Sequence, residues 1–164
     1  MRFRVLCVGK LKEGFYRDAC HEFCKRLSRY AQVEILEVPD EKAPEQLSPA
    51  QRSQVKEAEG QRLLAKVSEG DWVVALDIAG EPLSSPQLAQ RLQQWNNQGK
   101  SRFAFLIGGS LGLSDAVLGR ADQRISFGPP TFSHQLFRVM LLEQLYRACK
   151  INACLLYTSP SPRD

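Results

Sequence analysis

The sequence predicts an α/β protein whose largely parallel sheet is flanked by helices. Three observations carry that class. Short, uninterrupted apolar runs such as "FRVLCV", "DWVVALDI" and "RFAFLIG" have the length and composition of buried strands. Stretches with helical apolar spacing separate them, as a crossover connection between parallel strands requires. Glycine, proline and serine stand where one pattern gives way to the other.

Taken in order, Phe3 to Val8 reads as a first strand ending at Gly9. Phe15 to Ser28 follows as a helix, with Phe15, Ala19, Phe23 and Leu27 on one face. Val33 to Val38 ("VEILEV") alternates with period two, and Glu34 and Glu37 point to a strand near the sheet edge. The polar, proline-bearing run from Pro39 is a loop leading into a helix from about Ala50 to Ser68. Asp71 to Ile78 is a doubly covered strand. The next helix has Ser85 as N-cap, Pro86 at its first position, Leu88, Leu92 and Trp95 inward, and Gly99 as its stop. "RFAFLIG" is the next buried strand; Ser114 and Asp115 open a short helix ending near Gly119; "RISFG" is a brief last strand; and a strongly apolar helix runs from about Ser133 to Lys150.

The 164 residues, 43% of them apolar, suffice for one domain with its own core. Twenty-two basic against 18 acidic side chains leave a net charge of +4, a mild preference for anionic partners. No apolar run has the length of a membrane span, and no secretory leader is evident, so a cytoplasmic location is expected. Five unpaired cysteines, Cys7, Cys20, Cys24, Cys149 and Cys154, fit a reducing compartment. In "CHEFC" only Cys20 and Cys24 share a helix face and no further ligands are evident, so no metal is expected.

In open parallel sheets ligands bind beyond the carboxyl ends of the strands, which directs attention to the loops after Asp77, Ile107 and Phe127. "GGSLG" after Ile107 matches neither the dinucleotide fingerprint nor the P-loop, and Gly108-Gly109 is also readable as a plain tight turn. In the last helix Leu136, Phe137, Met140, Leu141 and Leu145 cover so wide an arc that a second subunit is expected against it. Glu143 and Arg147 read as an i, i+4 surface pair. Lys10, Lys12, Lys25, Arg26 and Arg29 form a candidate basic patch around the first helix, with a solvated helix face as the plain alternative.

The blocks "VGKLKEGFYRDAC", "LDIAGEPLSSPQLA", "FLIGGSLGLSDAVLGRAD" and "ISFGPPTFSHQLFRVMLLEQLYRACKI" together resemble the RlmH family, SPOUT-class enzymes that methylate N3 of a pseudouridine in large-subunit (23S) ribosomal RNA. The resemblance runs collinearly from about Met1 to Ile151. It implies a trefoil knot toward the C-terminal end of the domain, an obligate homodimer acting on ribosomal RNA in the assembled ribosome, and S-adenosyl-L-methionine as cofactor. Matched residue by residue, it implies cofactor contacts at Leu76, at Gly108 and along Phe127, Gly128, Pro129, Pro130, Thr131 and Phe132. It further implies an active-site position for His134 and Arg138. For His134, hydrogen bonding at the helix start is the competing role. An RNA- or nucleotide-binding module of the same fold, with a different methylation target or none, is the alternative function.

Two departures from the family pattern carry expectations of their own. In "GPPTFSHQ", Pro129, Pro130 and Ser133 replace the usual residues and are expected to stiffen or re-route the loop over the cofactor. From residue 153 to 164 the tail "ACLLYTSPSPRD" lacks the family's glycine-containing, Pro-Tyr-His-basic ending and reads as a non-native scar appended to a domain of residues 1–152. A folded, cofactor-competent dimer with reduced or absent methyl transfer is the expected result.

Overall fold

A computed structural model describes residues 1–42 and 44–154; most of the tail read as a scar lies outside the described residues. The strands are β1 (Arg2–Val8), β2 (Gln32–Val38), β3 (Trp72–Pro82), β4 (Arg102–Ile107) and β5 (Gln123–Ser126), and the helices α1 (Gly14–Leu27), α2 (Pro49–Leu64), α3 (Ser85–Asn97), α4 (Asp115–Arg120) and α5 (His134–Ala153). The five strands form one sheet in the order β2-β1-β4-β3-β5, every pair parallel. The alternation read from the sequence is therefore right, and β2 does stand at an edge.

Side chains alternate across the pleat, so the central strands β1, β3 and β4 feed two cores. Phe3, Val5, Cys7, Phe103 and Phe105 pack with α1, α3 and α5 through Leu27, Leu92 and Leu145. On the opposite face Leu6, Val8, Val73 and Leu106 meet α2 and α4 through Leu63 and Val117. A strand covered on both faces needs the continuous apolar run that marks β1, β3 and β4.

Three boundaries differ from expectation. The N-cap of α3 is Ser84, not Ser85: Ser84 Oγ accepts the Gln87 backbone N–H at 3.2 Å, and Gln87 Oε1 accepts the Ser84 N–H at 2.8 Å. Only Ser84 has a glutamine three residues on, and that reciprocal pair sets the helix start. Ser85 instead donates its hydroxyl to Gln144 Oε1 at 2.5 Å, tying α3 to α5. α2 ends at Leu64 rather than near Ser68. β3 does not stop at Ile78. It continues to Pro82, but Leu76 and Glu81 both pair with Ile125, so Asp77–Gly80 leaves the ladder as an excursion. A Cβ on Gly80 would lie 2.8 Å from the Ile125 backbone nitrogen, so a side chain there would push the returning strand off β5.

An ionic clamp holds the amino ends of the central strands. The fully buried Asp71 carboxylate meets Arg4 Nη1 at 2.9 Å and Arg102 Nη2 at 3.4 Å, and accepts the Ser68 backbone N–H at 2.8 Å. Asp71→Ala removes the main partner of the mostly buried Arg4 guanidinium and leaves it only the half-exposed Glu34 carboxylate at 3.7 Å. The expected cost is about 3 kcal/mol, the order found for breaking a buried pair. For a chain of this length that corresponds to a fall of about 10 °C in melting temperature, read by calorimetry.

Candidate active site

At the other end of the sheet the carboxyl ends of β3 and β4 open into a cleft of about 440 Å³. Leu76, Gly108, Thr131, Phe132 and His134 all line it. Three segments far apart in the chain thus converge: the end of the first part of β3, the loop after β4, and the approach to α5. The Asp77–Gly80 excursion is what leaves Leu76 at a strand end within a longer strand.

The glycine loop has its own geometric cause. Gly112 N–H donates to the Gly109 carbonyl at 3.1 Å, and a Cβ on Gly108 would fall 2.6 Å from the Gly112 carbonyl carbon. The loop closes on itself over Gly108, and the wall it presents to the cleft is backbone. The sequence left ligand approach and a plain tight turn both open for this glycine; the chain's own turn already demands it.

The remaining expected residues lie elsewhere around this cleft. Phe127 does not line it but stacks on Phe137, which does, with ring centroids 5.0 Å apart and planes 15° apart. Phe127 itself faces a neighbouring cleft with Phe23, Leu83 and Met140. Gly128 donates its N–H to Ser126 Oγ at 3.1 Å, and Pro129 and Pro130 are exposed; none of these three is in the lining.

His134 is the first residue of α5. The helix start is capped by Ser133, whose Oγ accepts the Leu136 N–H at 3.2 Å, so the imidazole is not occupied as the cap. Burial pushes its pKa below the ordinary value, the Arg138 charge adds to that, and Asp40 opposes it. A half-buried imidazole in this setting is neutral at pH 7 and able to accept a proton.

Arg138, one turn further on, is only 2% exposed. Its Nη1 donates to Glu37 Oε2 at 2.6 Å and its Nη2 to the Gly9 carbonyl at 3.3 Å. The guanidinium thereby fastens α5 to the ends of β1 and β2, and it does not line the cleft. Nearby Cys7 is an inert thiol, its pKa pushed up to about 12 by burial. The Glu143–Arg147 pair is present at 3.0 Å. Among the described residues no group of three or more His, Cys, Asp or Glu is placed to hold a metal ion.

A second and larger cleft, about 1070 Å³, adjoins the first and shares Gly109, Ser110, His134 and Gln135 with it. Lys10 and Lys12 line it, in a loop held by Arg17 Nη1, which donates to the Leu11 and Lys12 carbonyls at 3.0 and 2.8 Å. Lys25, Arg26 and Arg29 do not join them. They lie at the far end of α1, about 20 Å away at 1.5 Å per residue, so the five cations are not one patch. Sequence reasoning also missed Glu59, which lines this cleft, is 5% exposed, and has its pKa pushed up by burial. Its only sequence signal is an acid on α2 flanked by the small residues Ala58 and Gly60.

A wholly parallel sheet whose diverging loops border a cleft defines the class: an α/β protein with a cleft at its strand ends, the place where open sheets of this kind bind ligands. The comparisons with known proteins narrow it. A family described as "Predicted SPOUT methyltransferase" matches residues 1–157. The chain belongs to the SPOUT methyltransferase family. It is 54% identical over 153 residues to a Bifidobacterium animalis subsp. lactis protein called ribosomal RNA large subunit methyltransferase H, covering 93% of this chain and 96% of that one. An Enterococcus faecalis protein of the same name is 51% identical over 151 residues, covering 92% and 95%. Among solved structures, a probable methylase family protein from Haemophilus influenzae Rd KW20 superposes with a TM-score of 0.54 at 11% identity, covering 98% of this chain and 72% of that one, a likeness of fold.

Proposed function

We propose that this chain transfers a methyl group from S-adenosyl-L-methionine to N3 of a pseudouridine in the RNA of the large ribosomal subunit. The observation that carries the reading is the position of His134, a neutral imidazole on the wall shared by two adjoining clefts. The names of the relatives point to the same substrate.

The smaller cleft fits the cofactor in size and chemistry: about 440 Å³, with Leu76, Phe132 and Phe137 as apolar surface and the Gly108–Gly112 backbone as polar edge. Leu76 and Phe132 would hold the adenine between apolar surfaces, Gly108 and Thr131 would offer hydrogen bonds, and Phe127 braces Phe137. Gly128, Pro129 and Pro130 belong to the segment that closes over the ligand. When bound, the cofactor would supply an electrophilic methyl group whose bond to the sulfonium sulfur breaks as the bond to nitrogen forms, the sulfur leaving as the neutral thioether of S-adenosyl-L-homocysteine. His134 accepts the N3 proton of the base, directly or through a water it orients, leaving the ring nitrogen free to attack. Arg138 is a positioning residue: it holds α5 in register, and its charge, near enough to act on His134, favours negative charge developing on the base.

The proposal includes the family's trefoil knot and a homodimer. The incompletely covered apolar side of α5 supports the dimer, with Leu136 38% exposed and Phe137 and Met140 half-buried. Two copies carry about +8, suited to a ribosomal surface in the cytoplasm. Among the described residues no helix is long and apolar enough to cross a membrane. Exchanging residues 153–164 for the family's ending is expected to raise turnover, and unchanged turnover would count against reading that tail as a scar.

The test is incubation with radiolabelled S-adenosyl-L-methionine and ribosomes, intact or dissociated. Label in large-subunit RNA is the expected result. RNA affinity without any cofactor binding in calorimetry would make the chain a binding module instead.

A further inference from the structure

We propose that the larger cleft is the acceptor site, taking a uracil-type nucleotide turned out of the RNA, with Glu59 as the residue that shapes it; this rests on the RNA-methyltransferase reading above. Location is the first argument. The two clefts meet at Gly109, Ser110, His134 and Gln135, so a base in the large one and a methyl donor in the small one face each other across the imidazole. At about 1070 Å³ the large cleft has room for a nucleotide together with its flanking sugar and phosphate.

Charge then decides what enters. Lys10, Lys12 and Arg52 are exposed lining residues, while the carboxylates of Glu37, Asp40 and Glu59 line the same cleft. A ligand that is itself anionic throughout would be repelled by those acids. RNA fits the mixture: its phosphates meet the exposed cations, and its uncharged base, rich in N–H donors, meets the acceptors.

Glu59 supplies the independent observation. Its Oε2 accepts the Glu41 backbone N–H at 3.0 Å, while Arg62, one turn on along α2, donates to the Pro39 carbonyl at 3.0 Å and to Glu41 Oε2 at 2.5 Å. Together they set the loop that carries Asp40 and Glu41 along the cleft. The other oxygen, Oε1, is buried and has no partner. It lies against Gly109, on the wall common to both clefts, where a Cβ would stand 3.0 Å from it. Buried carboxylate oxygens are rarely left without a donor, and the N–H of an imide base is a donor of the right kind.

The experiment compares charge reversals on ribosome binding and on S-adenosyl-L-methionine binding. Lys12→Glu/Arg52→Glu in the full chain is expected to weaken ribosome affinity more than tenfold, with cofactor affinity changed less than twofold. Lys25→Glu/Arg29→Glu, an equal change of charge at the far end of α1, is expected to weaken it less than threefold. Acylation of wild-type lysines should show Lys10 and Lys12 protected by ribosomes and Lys25 not. Glu59→Gln, which keeps the shape, is expected to lower ribosome affinity several-fold without altering cofactor affinity. Equal losses from both double variants, or protection confined to Lys25, would overturn the proposal even if the wild type methylates ribosomal RNA. Protection of Lys10 and Lys12 without methyl transfer would sustain it while removing the reaction proposed above. A wild type that binds no ribosomes would overturn both.

Discussion

His134→Ala is expected to slow single-turnover methyl transfer by about 10²–10⁴-fold, the range for losing a positioned proton acceptor. Cofactor affinity should change only a few-fold, because the imidazole is one lining group among many in the smaller cleft. The pH dependence has a definite sign. His134 titrates below the free value of 6.5, with burial as the main cause and the Arg138 charge second. Activity should therefore be full at neutral pH and fall on an acid limb that begins below 6.5. Stability moves the same way: the unfolded chain takes up this proton at a higher pH than the folded one, so folding weakens as pH drops below about 6.5. His21 is the only other histidine, which makes the titration accessible to NMR. A wild-type rate in His134→Ala, or an acid limb unchanged by the substitution, would refute the assignment.

Arg138→Met is expected to damage the fold first and the chemistry in consequence. The guanidinium is almost wholly buried, and its partners are the Glu37 carboxylate and the Gly9 carbonyl, so methionine fills the space but leaves Glu37 only the long Leu11 N–H contact at 3.4 Å and takes the Arg138 donor from Gly9. Breaking a buried pair costs about 3 kcal/mol or more; Glu37 is a third exposed and regains some water, which places this case at the lower end. The melting temperature should fall by roughly 10 °C. Loss of the positive charge should also raise the pKa of His134, shifting the acid limb toward neutral pH. A variant as stable as wild type with an unmoved His134 titration would show that Arg138 neither anchors α5 nor tunes the imidazole.

The order of elements was legible because buried strands and amphipathic helices differ in period, and β1, β3, β4 and α5 are strongly patterned. What was not legible depends on pairing across the chain. Nothing in "LDIAGEP" distinguishes a strand end from an excursion that returns to the same partner; the register against Ile125 does. Ser85, next to Pro86, reads as the cap of α3, but the reciprocal pair with Gln87 selects Ser84. For the site, strand-end logic and family resemblance brought Leu76, Gly108, Thr131, Phe132 and His134 to one cleft. Arg138 reads from the sequence as an active-site residue; its burial against Glu37, 101 positions away, depends on pairing across the chain. Glu59 was invisible for a similar reason: on α2 it is one acid among several, and only the packing of Gly109 and Glu41 against it removes it from water.

The Asp71 clamp sits at the opposite end of the sheet from both clefts. The anchoring ion pairs and the proposed site thus lie at opposite poles of one scaffold, joined by rigid strands. Directed evolution aimed at new acceptors has the crown loops to vary while the foot keeps the molecule intact, and a thermostabilised foot would carry over unchanged to each new crown.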